Sequence, residues 1–532
     1  MPTLNWIGKD AVVDHHLKVP FHLLKDAPAL GCGSPGSGNL IVQGDNLVAL
    51  KALLPYYAGQ VKCIYIDPPY NTGNEGWVYN DNVNSPVIRE WLGKVVGGEN
   101  ETLDRHDRWL CMMYPRLALL RQFLREDGAI FVSIDDNEIT SLRYMIGEIF
   151  GENNFIAHLI WQKKYSPQND AIFFSEMHDH ILVFARNSHK WKRNLIPRTE
   201  KQDKAYKNPD SDPRGPWKPS DLTRAEHRDR DFYGIATPVG KMVFPAKGRS
   251  WSRPPEEIKR LRADNRLWFG KNGDAIPSLK RFISEVKEGV VPSTILLREE
   301  VGDNQEAKQE LKTIGINDLF ATPKPPRLVQ RIFEIATNPG DLVLDSFSGS
   351  GTTGHAVLNL NKQDGGNRKF ILVEMEPKIA QDITAERVRR VAQGYTNAKG
   401  EKVEGLGGGF RFCELGEPLF DEDGQIRGSV SFADLARHVY FSETGEPLPK
   451  ERVAKSPLVG AHNGVGIYLL YNGILGDKSV NGGNVLTRKT LERLPKFDGQ
   501  KVVYCAGNLL GADRLRAERI IARQIPYEVK VS

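Results

Sequence analysis

Cysteine is scarce: Cys32, Cys63, Cys111, Cys413 and Cys505 are the only five in 532 residues, far apart and never as Cys-x-x-Cys. So few and so dispersed, they offer neither a disulfide framework nor a thiolate zinc site, and they suggest a reducing compartment. Long apolar runs are missing too. Nothing approaches the ~20 residues of a membrane span, and Met1 to Asp10 shows no charged-then-apolar leader pattern. The expectation is a cytoplasmic protein with no membrane partner. There is no internal repeat and no long low-complexity segment; residues 31–38 read as a short flexible linker. Charge of one sign is barely in excess. A net charge of +5 permits a nucleic-acid partner without demanding one. The length is too great for one ordinary core and predicts two or three domains.

What is present centres on Cys63-Ile64-Tyr65-Ile66-Asp67-Pro68-Pro69-Tyr70-Asn71-Thr72-Gly73. A short apolar, β-branched run ends in an acid, two prolines and an aromatic. This reads as a buried strand stopped by a rigid loop, at the strand end where open α/β sheets place ligands. The prolines fix the backbone, so that the Asp67 carboxylate and the Pro68 carbonyl offer two acceptors, and Tyr70 offers a ring face. Taken alone, the four residues Asp67 to Tyr70 are equally an ordinary strand-ending turn.

Residues 1–38 read as an N-terminal arm. A strand over residues 40–43 then ends in Gly44-Asp45 and leads into an amphipathic helix, and the strand Val61–Ile66 completes a βαβ unit. Asp45 is a helix N-cap, a ligand-holding acid, or both. Residues 71–107 are polar, with Trp77, Tyr79 and Trp91, and a segment this long without periodicity is expected to cover a site. A helix over 108–125 and a strand over 129–134 follow. Asp135, Asp136 and Glu138 open the next helix and read as capping acids, while His178 and His180 read as structural. From 187 to 317 the alternation fades, and basic and aromatic residues interleave around Lys192, Arg193, Arg214, Lys218, Arg249 and Arg253. Such a pattern suits phosphates and bases, or else a solvated basic face over a small tryptophan core. The α/β pattern resumes at Thr322-Pro323-Lys324-Pro325 and runs through the strand ending in Asp345. The glycine-rich turn Ser346-Phe347-Ser348-Gly349-Ser350-Gly351-Thr352 comes next, then a helix and a strand ending on Glu374. This is close to a dinucleotide fingerprint, without its exact glycine spacing and without the lysine of a P-loop. Glycines there let backbone approach a ligand, and Glu374 could hold a ribose. The Asp421-Glu422-Asp423-Gly424 string lacks the ligand spacing of an EF-hand.

Asp67-Pro68-Pro69-Tyr70 resembles the catalytic motif of amino-group DNA methyltransferases, and Phe347-Ser348-Gly349-Ser350-Gly351 resembles their S-adenosylmethionine loop. The order of catalytic loop, basic insert and cofactor loop is similar to the permuted β class. The strings Gly44-Asp45-Asn46-Leu47, Ser133-Ile134-Asp135-Asp136-Asn137-Glu138 and Thr322-Pro323-Lys324-Pro325 look like those of type III modification subunits. The resemblance covers roughly residues 39–395. It implies an α/β, Rossmann-like methyltransferase domain with permuted motif order, an inserted target-recognition domain and a small C-terminal α/β module. The expected domains are an arm (1–38), a catalytic half (39–186), a target-recognition insert (187–317), a cofactor half (318–405), and a docking or dimerisation module (410–532). Asp67, Pro68, Pro69 and Tyr70 would act on a flipped-out base. Asp45, Lys324, Asp345, Phe347, Gly349, Gly351, Thr352 and Glu374 would line the cofactor site, and the six basic residues of the insert would meet DNA. The implied reaction is methyl transfer from S-adenosylmethionine to N6 of adenine in double-stranded DNA of a prokaryote, with no metal required. A homodimer and a restriction (helicase–nuclease) subunit are the implied partners; the chain itself carries no helicase motif. The alternatives are a cytosine-N4 enzyme, against which Asp at 67 weighs, and a DNA-reading specificity subunit with vestigial transfer. A cytosine-C5 route is excluded, because no cysteine has the Pro-Cys setting it needs.

Overall fold

The computed structural model describes residues 3–33, 37–72, 90, 93–95, 104–169, 171–286, 289–316, 320–397, 399–449, 456–477 and 483–526. Trp77, Tyr79 and Trp91 of the expected covering segment, and a last strand-like run over 527–531, lie outside the described residues.

The chain forms two compact units, residues 195–292 and the remainder. The larger is built on one sheet whose ten strands are β1 (His22–Asp26), β2 (Leu40–Gln43), β3 (Val61–Ile66), β4 (Leu124–Ile134), β5 (Phe155–Gln162), β6 (His178–Ala185), β7 (Ile295–Leu296), β8 (Leu342–Asp345), β9 (Lys369–Glu374) and β10 (Arg411–Pro418). Their spatial order is β1-β10-β2-β9-β8-β3-β4-β6-β5-β7. The run from β10 to β4 is parallel, whereas β6 lies antiparallel between β4 and β5. Strand progression reverses between β3 and β8. One path leads from β3 outward to β4, the other from β8 outward to β9, and such a switch point opens a crevice at the carboxyl ends.

Alternation along β3 explains the layers. Ile64 and Ile66 face one buried cluster, with helices α1 (Asn46–Tyr57), α2 (Arg105–Phe123) and α3 (Ile139–Phe150). Cys63 and Tyr65 face the other, with α4 (Asn304–Ile314), α5 (Pro326–Ala336), α6 (Thr352–Asp364) and α7 (Glu386–Gln393). A strand covered on both faces has no solvent side, and β3 is buried throughout; its one charged residue, Lys62, is satisfied by Asp127 at 2.9 Å. The N-terminal arm belongs to the first cluster: Trp6, Val12, Val19 and Phe21 are buried in it, and β1 pairs with β10.

Past β10, helix α8 (Phe432–Thr444) and a four-stranded sheet follow. Its strands β11 (Leu458–His462), β12 (Val465–Leu469), β13 (Gln500–Cys505) and β14 (Ile520–Gln524) are ordered as numbered.

The unit of residues 195–292 is narrower than the basic segment 187–317. Trp191 packs against the second cluster of the large unit, and β7 and α4 extend that unit's sheet and helical layer. Among its described residues the small unit has a three-stranded sheet (Trp217–Asp221, Ser278–Phe282, Leu267–Trp268), two short antiparallel strand pairs and the helix Pro255–Ala263. Its core holds Leu222, Ile235, Trp251, Ile258 and Phe269.

Candidate active site

Four strand ends carry the site. β3 delivers Asp67, β8 ends on Asp345, β9 ends on Glu374, and Asp45 follows β2. Asp67, Lys324, Asp345, Phe347, Gly349 and Thr352 line one pocket, which also includes Tyr65 and Ser348. Catalytic loop and glycine turn, 280 residues apart in sequence, are thus neighbours because β3 and β8 are adjacent strands.

Lys324, expected to line the cofactor site, lines this pocket and also bridges the two loops. Its Nζ lies 2.8 and 2.6 Å from the two carboxylate oxygens of Asp67 and 4.8 Å over the Tyr70 ring. Its carbonyl accepts the Thr352 hydroxyl at 3.1 Å. Burial raises the proton affinity of Asp67, and Lys324 opposes part of that rise. Burial, then the adjacent Asp67 carboxylate, holds the Tyr70 phenol well above its ordinary range. The two groups are neighbours, although the hydroxyl makes no well-formed hydrogen bond among the described residues.

The glycine turn is shaped by backbone requirements. Gly349 and Gly351 have φ of 47° and 74°, left-handed values that favour glycine. A Cβ on Gly351 would sit 3.0 Å from the Thr384 carbonyl oxygen. Gly349 N–H donates to Glu374 at 2.9 Å and Phe347 N–H donates to Asp345 at 3.0 Å, so each acid braces the turn. The Thr353 hydroxyl completes Asp345 at 2.6 Å. Burial pushes Asp345 up to about 7 and Glu374 up to about 8. Arg387, fully buried, donates to the Ser350 and Thr352 hydroxyls at 3.0 and 2.8 Å.

Asp45 serves as an N-cap: its Oδ1 accepts Leu47 and Val48 N–H, and its Oδ2 accepts Arg116 at 2.9 Å. Around the Pro-Pro corner, Trp109 Nε1 donates to the Pro69 carbonyl at 2.6 Å. Asn71 takes φ of 59° and its amide reaches Glu138, which also accepts His106 at 2.6 Å. Glu138, read as a capping acid, occupies the N-cap position but makes no side-chain cap bond. Its fully buried side chain instead fixes the turn after Tyr70. Asp136 bonds His180 at 2.7 Å, and His158 approaches the other ring nitrogen of His180 at 2.9 Å.

Sequence reasoning missed the Lys324–Asp67 pair and the Asn71–Glu138–His106 brace. Asn71 stands next to the motif and Glu138 ends the Ser133-to-Glu138 string, so the residues were visible and their pairing was not. Arg387 carried no sequence signal.

The six basic residues divide. Arg214 is paired with Asp212 and Asp264, and Arg249 with Asp221 at 2.7 Å. Lys192, Arg193, Lys218 and Arg253 are exposed, the first two on the large unit. Trp217 and Trp251 are buried in the small unit.

The pocket suits S-adenosylmethionine in the chemistry of its donors. The Gly349 turn admits close approach, and the unpartnered buried hydroxyl of Ser348 offers a polar contact. Glu374, expected to hold the ribose, does not line this pocket, and its two oxygens accept Gly349 and Glu376 N–H. Residues 61–386 match the family model described as DNA methylase. The chain is similar to the StyLTI Mod subunit of a type III restriction-modification enzyme from Salmonella typhimurium, with 36% identity over 67% of this chain and 57% of the relative. It is 30% identical to the EcoP15I Mod subunit of Escherichia coli, over 70% of this chain and 64% of the relative. The type II methyltransferase M.KpnI of Klebsiella pneumoniae is 28% identical over 68% of this chain and 89% of its own length. The chain therefore spans less than two thirds of the length of these two type III relatives. A match over more than half its residues, on a fold that brings both motifs into one pocket, makes the chain a member of the DNA methylase family of N6/N4 methyltransferases.

Proposed function

We propose that the protein transfers a methyl group from S-adenosylmethionine to N6 of an adenine extruded from double-stranded DNA. The observation that carries this reading is the convergence of Asp67, Lys324 and the Phe347-to-Thr352 turn on one pocket at the sheet's switch point. S-adenosylmethionine, when bound, supplies an electrophilic methyl on a sulfonium. Gly349, Phe347 and Thr352 would hold it.

The remaining work is positioning and electrostatics. An exocyclic amine is a poor nucleophile because its lone pair is delocalised into the ring. Asp67 Oδ and the Pro68 carbonyl accept its two N–H bonds and favour the tetrahedral nitrogen whose lone pair can attack. Tyr70 supplies a face for the extruded base. Lys324 opposes the rise that burial imposes on Asp67, and the carboxylate takes the proton that the methylated nitrogen must lose. Because Lys324 occupies both oxygens in the resting geometry, a bound amine displaces or shares one of these contacts.

The similarity to type III Mod subunits supports a modification role within a restriction system, with DNA, a second copy of the chain and a separate restriction subunit as partners. Within the expected target-recognition insert 187–317, the separately folded unit of residues 195–292 lies in sequence between the catalytic and cofactor halves, which supports reading it as the target reader. The test is methyl transfer to unmodified DNA followed by nucleoside analysis. N6-methyladenine is the expected product. N4-methylcytosine would keep the mechanism and overturn the substrate, and no methylated base would overturn the activity.

A further inference from the structure

The loop joining β5 to β6 has no part in the site above, yet it is the most unusual surface of the large unit. Ile172, Phe173 and Phe174 are 88, 90 and 92% exposed, the highest values for large apolar side chains among the described residues. Three consecutive apolar side chains held in water mark a contact surface. Beside the base of this loop lies a groove of about 570 Å³ between the loop and α4, lined by Lys163, Lys164, Tyr165, Asp303, Lys308 and Lys312. Lys308 and Lys312 stand four residues apart and share one helix face. Tyr165 is held in place by the Arg298 guanidinium, 3.9 Å over its ring. Among the described lining residues the one carboxylate is Asp303, which accepts Glu306 N–H at 2.9 Å and lies 3.4 Å from the Arg298 guanidinium. Lys163 is ion-paired with Asp179, and Lys164, Lys308 and Lys312 leave the lining net positive, matching a polyanion.

Register places the loop at the catalytic edge. Ile66 pairs with Val132 and Ile134 with His180, so β6 begins where β3 ends. Lys163 is anchored to Asp179 at 2.6 Å, and the Asp179 carboxylate lies near enough to Asp67 and Tyr70 to raise both.

We propose that this loop and groove form a DNA-contact surface of the large unit. Lys164, Lys308 and Lys312 take backbone phosphates, and Ile172, Phe173 and Phe174 enter the duplex as an apolar wedge beside the extruded base. Apolar wedges at opened base steps are a general means of holding a distorted duplex. The inference rests on the reading of the protein as a DNA methyltransferase.

The test uses the full chain and two variants, K164A/K308A/K312A and F173S/F174S. Binding to a 30-bp mixed-sequence duplex is followed by fluorescence anisotropy over a range of KCl. The lysine variant is expected to flatten the slope of log affinity against log salt by about two to three, near 0.9 per lost phosphate contact. The phenylalanine variant is expected to bind that duplex within about twofold of the parent, since non-specific affinity is carried by phosphates. Its methyl transfer to double-stranded plasmid should fall by roughly tenfold or more, and recover on the heat-denatured plasmid, where no base has to be displaced.

An unchanged salt slope in a lysine variant of normal thermal stability overturns the groove. Full activity of F173S/F174S on duplex, or a change in its mass by light scattering, overturns the wedge; the second outcome would make the loop a contact between copies. A parent protein that methylates no DNA overturns the functional reading and the wedge with it, while the salt slope still decides the groove.

Discussion

The carboxyl edge of the large sheet and the small unit of residues 195–292 are both crowded with charge, and they treat it in opposite ways. At the edge, Asp345 and Glu374 are deeply buried and Asp67 half-buried, with little cationic company. Lys324 serves Asp67 alone, while Asp345 and Glu374 rely on hydroxyl and backbone N–H donors. Burial drives the latter two up to about 7 and 8. In the small unit, nearly every buried or half-buried charge has an opposite. Lys280 lies buried against Asp210 and Asp212, Arg214 meets Asp212 and Asp264, and Arg266 meets Glu285 and Asp264. Arg214 holds Asp212 well below the carboxylate range. Charge left under-compensated is costly and points to chemistry, whereas matched charge points to architecture.

The largest effect should come from the edge. D67A is expected to lower methyl transfer by at least about a hundredfold, the scale of removing one preorganised polar contact. It should also destabilise the fold by about 3 kcal/mol, because Lys324 is left buried without its counter-charge. The double variant D67A/K324M separates the two losses: thermal stability should return and activity should not. Recovery of activity in the double variant would show that Asp67 acts only by neutralising Lys324.

That distinction also marks how far the sequence could be read. The apolar run of β3, the acid at its end and the glycine turn after β8 were legible, because strand alternation, proline rigidity and glycine conformation are local properties. So was the α/β class. The meeting of Lys324 with Asp67 was not, since it depends on which strands are neighbours, and β3 and β8 are 276 residues apart, from Ile66 to Leu342, and out of sequential order. The interleaved basic and aromatic residues carried two readings. Trp217 and Trp251 went to the core, Arg214 went to acids 2 and 50 residues away, and Arg249 went to one 28 residues away. Composition does not record pairing, so an arginine count overstates the charge left for a ligand.

A second pair of variants sharpens the electrostatics of the edge by pH. Lys324 lowers the proton affinity of Asp67, so K324M should let it rise further and move the acidic limb of the rate profile to higher pH. An unmoved limb would assign it to another group. Glu374, raised to about 8, keeps a proton in the fold that the unfolded chain releases near 4.5. Its contribution to stability therefore declines as pH rises from about 4.5 to about 8 and is level above that. If its ionised form receives the ribose, cofactor affinity should climb up to about tenfold per pH unit and level above about 8. E374Q should remove that climb. A parent whose cofactor affinity is flat across this range would leave Glu374 as a brace for Gly349 and nothing more.

The smallest effects test the other side of the comparison. Arg253 is exposed and Arg249 is ion-paired with Asp221 and hydrogen-bonded to Thr223. If residues 195–292 read DNA through charge, R253A should weaken binding for all sequences alike and flatten the salt slope by about one. R249A should leave the slope unchanged, because its charge is already answered within the unit. Its cost should appear as about 0–1 kcal/mol of stability, since both partners are well exposed to solvent and screened. Equal slope changes in the two variants would mean that Arg249 leaves Asp221 for phosphate on binding. Matched pairs in this unit would then be a reserve of charge released by DNA, and the line between architecture and function would move accordingly.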